Sequence, residues 1–235
     1  MTLKEIFSPT FKDLLRHPDM IHPSATVRSC RSDDSDLCKE VVAKGLLTKA
    51  QMVHAAERYY LGKSRSGKCI YWMINRYGKT LEGHIGDAWV SKMLKARDPE
   101  GYYYHQFKMC FFGEHLLGIE GAAGAAQGAL PAVALIESER SAVILSELFP
   151  QLTWLAWVEI SNLTIDRFER LKDRQVILYP RASETMKDYM YCYNVADLAR
   201  QDYKLDITVS PILEDHSTPD QKTRGIDLLD FILES

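Results

Sequence analysis

The sequence contains no run of about 18 consecutive apolar residues, the length a membrane-spanning helix needs, so no span is expected. The opening Met1-Thr-Leu-Lys-Glu-Ile-Phe has no secretory apolar core, and a cytoplasmic location is expected. There is no Cys-x-x-Cys. The five cysteines (Cys30, Cys38, Cys69, Cys110 and Cys192) are odd in number, which argues against a disulfide framework. The spacing of Cys30 and Cys38, without a second pair, suits zinc poorly. The small-residue stretch 118–130 has several glycines but no following Lys-Ser/Thr and no strand-to-helix context, so it is not a phosphate loop. No Ser/His/Asp or Cys/His constellation stands out, which leaves hydrolase chemistry without support.

What is present is the composition of a soluble globular protein: 235 residues, 46% hydrophobic and 26% charged, long enough for a full core. The net charge of −3 carries no global basic signal, but its distribution is uneven. Lys63, Arg65, Lys68, Arg76, Lys79, Lys92, Lys95 and Arg97 face only Glu82 and Asp87 in that stretch, and the tail after Leu205 is acidic. A basic stretch of this kind is either a phosphate-binding face or a solvated surface.

Residues 1–62 predict a helical extension. Within it, 19–34 are polar and Pro-rich and predict a loop, and Gly45 separates two helices, Asp36 to Lys44 and Thr48 to Tyr60. Thr48-Lys-Ala-Gln51 fits a capping box, in which hydroxyl and amide each satisfy a backbone N–H. Residues 63–130 predict a small α+β subdomain. Cys69 to Asn75 and Thr80 to Ile85 form a β-hairpin turning at Gly78, a short helix covers Asp87 to Lys95, and a strand covers Tyr102 to Phe112. Tyr71, Trp72, Tyr77 and Tyr102 to Tyr104 lie among the basic residues, where aromatic faces can stack on bases while cations meet phosphates; for any single ring a place in the core is the competing reading. His115 reads as structural, with a ligand or base role as its alternative.

Residues 131–235 alternate between strand and helix: strands 132–136, 152–158, 175–179 and 205–210, helices 139–149, 163–171 and 183–200, and a closing helix near the C-terminus. This alternation predicts an α/β fold, a parallel sheet flanked by helices. The apolar run Ala132 to Ile136 is a strand buried on both faces. Ser138 caps the following helix, and Glu137 falls at the carboxyl end of the strand, where open α/β sheets place ligands.

Ile136-Glu137-Ser138-Glu139-Arg140-Ser141-Ala142 resembles the first motif of Toprim domains, the metal-binding fold of primases and topoisomerases. Gly225-Ile-Asp227-Leu-Leu-Asp230 is similar to the segment that closes that fold, although an Asp at a helix start has a structural role available to it. The resemblance runs from about Lys68 to the C-terminus and is nearest to the primase-like Toprim proteins of bacterial mobile elements and phages. Many of those begin with a zinc ribbon, which this chain lacks. In bacterial replicative primases a similar hairpin helps to hold single-stranded template. The resemblance therefore implies a Toprim-like domain over 131–235, a primase-like subdomain over 63–130, and single-stranded nucleic acid or replication and mobilisation proteins as partners.

A working Toprim centre holds Mg²⁺ with a Glu after the first strand and an Asp-x-Asp after the third, since the hard cation wants oxygen ligands. Glu137 fills the first position. After Gln175-Val-Ile-Leu-Tyr179-Pro180, however, the chain has Arg181 and Ser183, and after the second strand Trp157-Val158-Glu159 replaces the family's glycine-rich turn. The third strand of this fold lies beside the first, so Arg181 is expected against Glu137, in a fork that can grip a carboxylate at two points. The expected function is a catalytically degenerate Toprim and primase-like protein, without a metal cofactor, that binds nucleic acid through Lys63, Arg65, Lys68, Tyr71, Arg76, Lys79, Lys92, Lys95 and Arg97. Two alternatives stand beside it. One is a Mg²⁺-dependent primase or nuclease using Glu137, Glu159 and Asp188 in a rearranged acidic site; the other is a protein-interaction module docking through residues 1–62.

Overall fold

The computed structural model describes residues 24–86, 88–90, 110–118 and 130–235. The expected helix over 87–95, most of the strand over 102–112, and Lys92, Lys95 and Arg97 lie largely outside them. Among the described residues three helices come first: α1 (Ser24–Cys30), α2 (Asp36–Ala43) and α3 (Lys49–Arg58). The first is a correction, because part of the polar 19–34 stretch is helical: Val27 is buried and packs on Ile70, Trp72 and Ile74. Ser35 caps α2, and Thr48 and Gln51 form the full capping box of α3.

A four-stranded antiparallel sheet follows, β1 (Gly62–Lys63), β2 (Cys69–Ile74), β3 (Thr80–Ile85) and β4 (Ala88–Trp89), in chain order. The β2–β3 hairpin pairs Tyr71 with His84 and Trp72 with Gly83. Gly78 turns it with φ +76°, a conformation that costs glycine nothing because it has no Cβ.

The second sheet is parallel. Its strands are β5 (Val133–Ile136), β6 (Thr153–Ala156), β7 (Val176–Tyr179) and β8 (Ile207–Val209), in the order β6-β5-β7-β8. Helix α4 (Glu139–Leu148) joins β5 to β6. Between β6 and β7 the single helix expected over 163–171 is broken into a 3₁₀ turn (Ile160–Asn162), α5 (Ile165–Phe168) and a second 3₁₀ turn (Glu169–Leu171). Helix α6 (Lys187–Tyr203) joins β7 to β8, and α7 (Ile212–His216), α8 (Pro219–Arg224) and α9 (Leu228–Glu234) close the chain.

Alternation along β5 builds two cores, since successive strand side chains point to opposite faces. Ala134 and Ile136 face the larger one, with α2, α3, α4, the hairpin and Leu228 and Leu229 of α9. Val133 and Leu135 face the other, with Phe168 of α5 and Cys192, Ala196 and Ala199 of α6. The larger core draws on all three expected segments, so residues 62/63 and 130/131 are not gaps between separate cores. Tyr59 ties them together: its ring stacks on Phe112 at 5.2 Å and its hydroxyl donates to the Trp154 carbonyl at 2.8 Å. Phe112 in turn pairs antiparallel with Ala156. Gly113, φ +82°, fits between them, because a Cβ there would come within 3.0 Å of the Tyr59 ring. Among the described residues no helix is long and apolar enough to cross a membrane.

Candidate functional site

Strand order reverses between β5 and β7: the chain leaves β5 toward β6 on one side and β7 toward β8 on the other. The crevice beyond the carboxyl ends at such a point is where open α/β sheets take ligands. Glu137 follows β5 and Arg181 follows β7, and parallel pairing of Ile136 with Tyr179 sets them side by side. Arg181 Nε lies 3.0 Å from Glu137 Oε2. The expected two-point fork is corrected: this is a single contact, and the Nε–H makes no directed hydrogen bond, so the attraction is electrostatic.

Burial raises the Glu137 carboxyl above its ordinary range; Arg181 pulls it back, while Asp188, Asp227 and Glu139 push it further up. The rest of the motif is engaged with protein. Ser138 accepts from the Ser141 amide, as a helix cap does. The Glu139 carboxylate is 2.6 Å from His84 Nδ1 on β3. The Ser141 hydroxyl donates to Asp227 at 2.5 Å, and Asp227 also caps α9. Glu159 is exposed at the start of the first 3₁₀ turn. Among the described residues, no three His, Cys, Asp or Glu side chains form a metal-ligating group.

Val158, where the second strand turns, has φ +71°, a rare conformation for a β-branched residue. It occupies the turn where glycine would be unstrained. Trp157 Nε1 and Ser183 Oγ are buried and make no hydrogen bond among the described residues.

The described basic residues do not form one face. Lys63, Arg65 and Lys68 sit at the β1–β2 end, with Lys63 held by Asp34 at 2.8 Å. Arg76 and Lys79 sit at the other end of β2, roughly 20 Å away for a strand of this length. Tyr71 is a correction: its ring packs edge-on against Phe112 at 5.6 Å, against the larger core, and is spent on packing.

At the Arg76 end, the hairpin turn meets α1 and the 115–118 turn around a cavity of about 630 Å³. Arg28, Arg31 and Arg76 line it, with Tyr60, Tyr77 and His115. No carboxylate belongs to the described lining. Arg31 lies 4.7 Å over the Tyr60 ring, and Arg76 lies 5.0 Å over Tyr77 and donates to its hydroxyl. Tyr77 is 71% exposed. His115 is buried, its Nε2 donating to the Arg58 carbonyl at 2.9 Å, and burial pushes it down to about 4. Nearby, the buried Glu114 carboxylate accepts from the Arg76 amide, the Phe111 amide and Arg170 Nη1. Sequence reasoning passed over Arg28, Arg31 and Glu114: the first two fall in a stretch that predicts a loop, and the third in a short helical entry segment, 112–117, where His115 is the residue that draws notice.

Nothing among curated proteins or solved structures matches significantly. A family model, described as a domain of unknown function, DUF6371, matches residues 37–182. That stretch takes in α2, α3, the hairpin and the parallel strands β5 to β7, including both Glu137 and Arg181. With more than half of its length matched, the chain belongs to the DUF6371 family.

Proposed function

We propose that the chain is a nucleic-acid-binding protein of Toprim-like descent whose metal centre has been replaced by an ion pair. The observation that carries the binding is the cavity at the hairpin turn, where three guanidiniums and two tyrosine rings meet with no carboxylate in the described lining. Cations for phosphates beside rings for bases are the two components of sequence-tolerant single-strand binding.

The residues after the third parallel strand support the loss of a metal. A Toprim centre would require carboxylates at 181 and 183, and the chain has Arg181 and Ser183 there. With a guanidinium 3.0 Å from Glu137, a divalent cation would meet like charge at its first ligand. The residues present do not fit Mg²⁺.

Filter binding of single-stranded DNA at several salt concentrations tests this reading. Each phosphate contact contributes about −0.7 to the slope of log affinity against log salt, so contacts from Arg28, Arg31 and Arg76 give a slope near −2. Salt-independent binding, or none, refutes it. Primer synthesis or cleavage that needs Mg²⁺ and is lost in Glu137→Ala would establish the enzymatic alternative instead.

A further inference from the structure

From the cavity at the hairpin turn we infer a pocket for a single nucleotide unit, its phosphate on Arg28, Arg31 and Arg76 and its base on the Tyr77 ring. This rests on the nucleic-acid reading but claims more: a discrete site with a defined occupant, where a basic surface would hold any stretch of strand.

Three observations converge. The first is size. At about 630 Å³ the cavity falls within the span of small-molecule sites, roughly 300–1,000 Å³. The second is charge. The three arginines come from two separate segments, α1 with its following residue and the hairpin turn, and bring three positive charges to one place in a chain whose net charge is −3. Each guanidinium has five donors in a fixed fork suited to phosphate. Arg31 gives one to the Glu57 carbonyl and Arg76 one to the Tyr77 hydroxyl, so most of the donors remain to be used.

The third is preorganisation. Arg31 lies over Tyr60 and Arg76 over Tyr77, which fixes long side chains before a ligand arrives and lowers the ordering cost of binding. At the wall, His115 donates through Nε2 to the Arg58 carbonyl, and its low proton affinity keeps the ring neutral at physiological pH, so it adds no charge of its own. Gly118 permits the close packing of the wall, since a Cβ there would come within 2.5 Å of the Arg76 carbonyl oxygen.

Titration calorimetry on the full chain uses two probes, a deoxynucleoside 5′-monophosphate and inorganic phosphate. The nucleotide is expected to bind at least about tenfold more tightly, the contribution of one stacked base. Arg28→Ala and Arg76→Ala should each weaken both probes about tenfold, the loss of a charge-assisted hydrogen bond. Tyr77→Ala should weaken the nucleotide and leave phosphate within about twofold, while Tyr77→Phe restores the nucleotide. Arg28, Arg76 and Tyr77 are exposed, so these variants should fold, which circular dichroism confirms. In a second arm the nucleotide competes with a labelled single strand. Competition supports the pocket as the place where the strand is held. Equal binding of the two probes, or indifference to Tyr77→Ala, overturns the inference. Strand binding that the nucleotide fails to displace overturns the pocket while the nucleic-acid reading stands, and failure of both strand and nucleotide to bind removes both.

Discussion

Truncating Arg181 to alanine removes the cation that faces Glu137 and leaves the carboxylate among Asp188, Asp227 and Glu139. At 3.0 Å two unit charges attract by about 1.4 kcal/mol at the dielectric of water and about 5.5 kcal/mol at an effective value of 20. Arg181 is 43% exposed and Glu137 22%, so screening places the pair toward the lower figure. The expected cost of Arg181→Ala at pH 7 is about 1–2 kcal/mol, below the several kcal/mol of a fully buried pair. The sign with pH follows from Glu137, whose carboxyl is already raised above 4.5 by burial. The fold keeps a proton that the unfolded chain releases, so this group's contribution to stability falls as pH rises above 4.5 and levels off beyond the folded value. Without Arg181 the folded value climbs further and the window widens upward. The cost of Arg181→Ala should therefore shrink on acidification from pH 7 to pH 5, and Glu137→Gln in that background should restore most of the loss at pH 7. Urea titrations of the four proteins of this cycle, at both pH values and with unchanged m, measure it. A coupling below about 0.3 kcal/mol, the scatter of independent sites, or a cost of Arg181→Ala equal at both pH values, refutes the reasoning.

Other substitutions probe the same molecule. Val158→Gly should leave stability unchanged or raise it by up to about 1 kcal/mol, because glycine removes an αL cost of about 1–2 kcal/mol, while Val158→Ala keeps the strained φ and should lower it; thermal melts separate the two. Glu114→Gln should cost about 2–3 kcal/mol in urea, since the buried carboxylate faces Arg170 and two backbone amides. His115, pushed from 6.5 down to about 4, contributes stability that is present above pH 6.5 and lost as pH falls through 4, about 3 kcal/mol in full; His115→Gln should flatten that limb of the stability–pH curve. Arg181→Asp puts an acid opposite Glu137, and Mn²⁺ titrated into this variant should give a bound-ion spectrum by electron paramagnetic resonance that the parent chain lacks; a folded variant that binds none counts against the proposed Toprim-like descent.

Elements with strong local signals were legible. The hairpin followed from β-prone runs around Gly78, the Thr48 capping box from its four-residue spacing, and β5 from an unbroken apolar run between turn residues. The Glu137–Arg181 contact was legible for a topological reason: neighbouring parallel strands bring their carboxyl ends together. What failed depended on neighbours. The polar 19–34 stretch hides α1, whose buried Val27 is a single apolar contact with no repeating stripe. Helix α6 starts at Lys187, later than expected, behind Met186 at φ +56°, a residue with no composition signal for that turn. Tyr71 and Tyr77 are six residues apart in one basic run, yet one is fixed in the core and the other is exposed. Alternation gives the face of a strand, but which face is covered depends on Phe112, far along the chain. The cavity was the least legible feature, since α1, the hairpin turn and the 115–118 turn contribute to it from distant parts of the sequence.

The motif after β5 and the cavity differ in what their polar groups are doing. Glu137 faces Arg181, Ser138 caps α4, Glu139 contacts His84, Arg140 lies 3.6 Å from Glu40, and Ser141 holds Asp227. A ligand entering there would have to displace contacts that hold α4, the hairpin and α9 together, and would give back their stability. At the cavity Arg31 and Arg76 are ordered by rings and keep donors to spare, so a phosphate there would add bonds without breaking any. Glu114 ties the hairpin turn to the segment that leads into β7: one oxygen takes Arg170 and the other takes the backbone amide of Arg76. Its three donors leave that carboxylate satisfied and partly neutralised, so it opposes an incoming phosphate weakly while holding the Arg76 backbone. On the proposed reading, therefore, a ligand belongs at the hairpin turn, where donors are to spare, and not at the strand ends, where they are engaged.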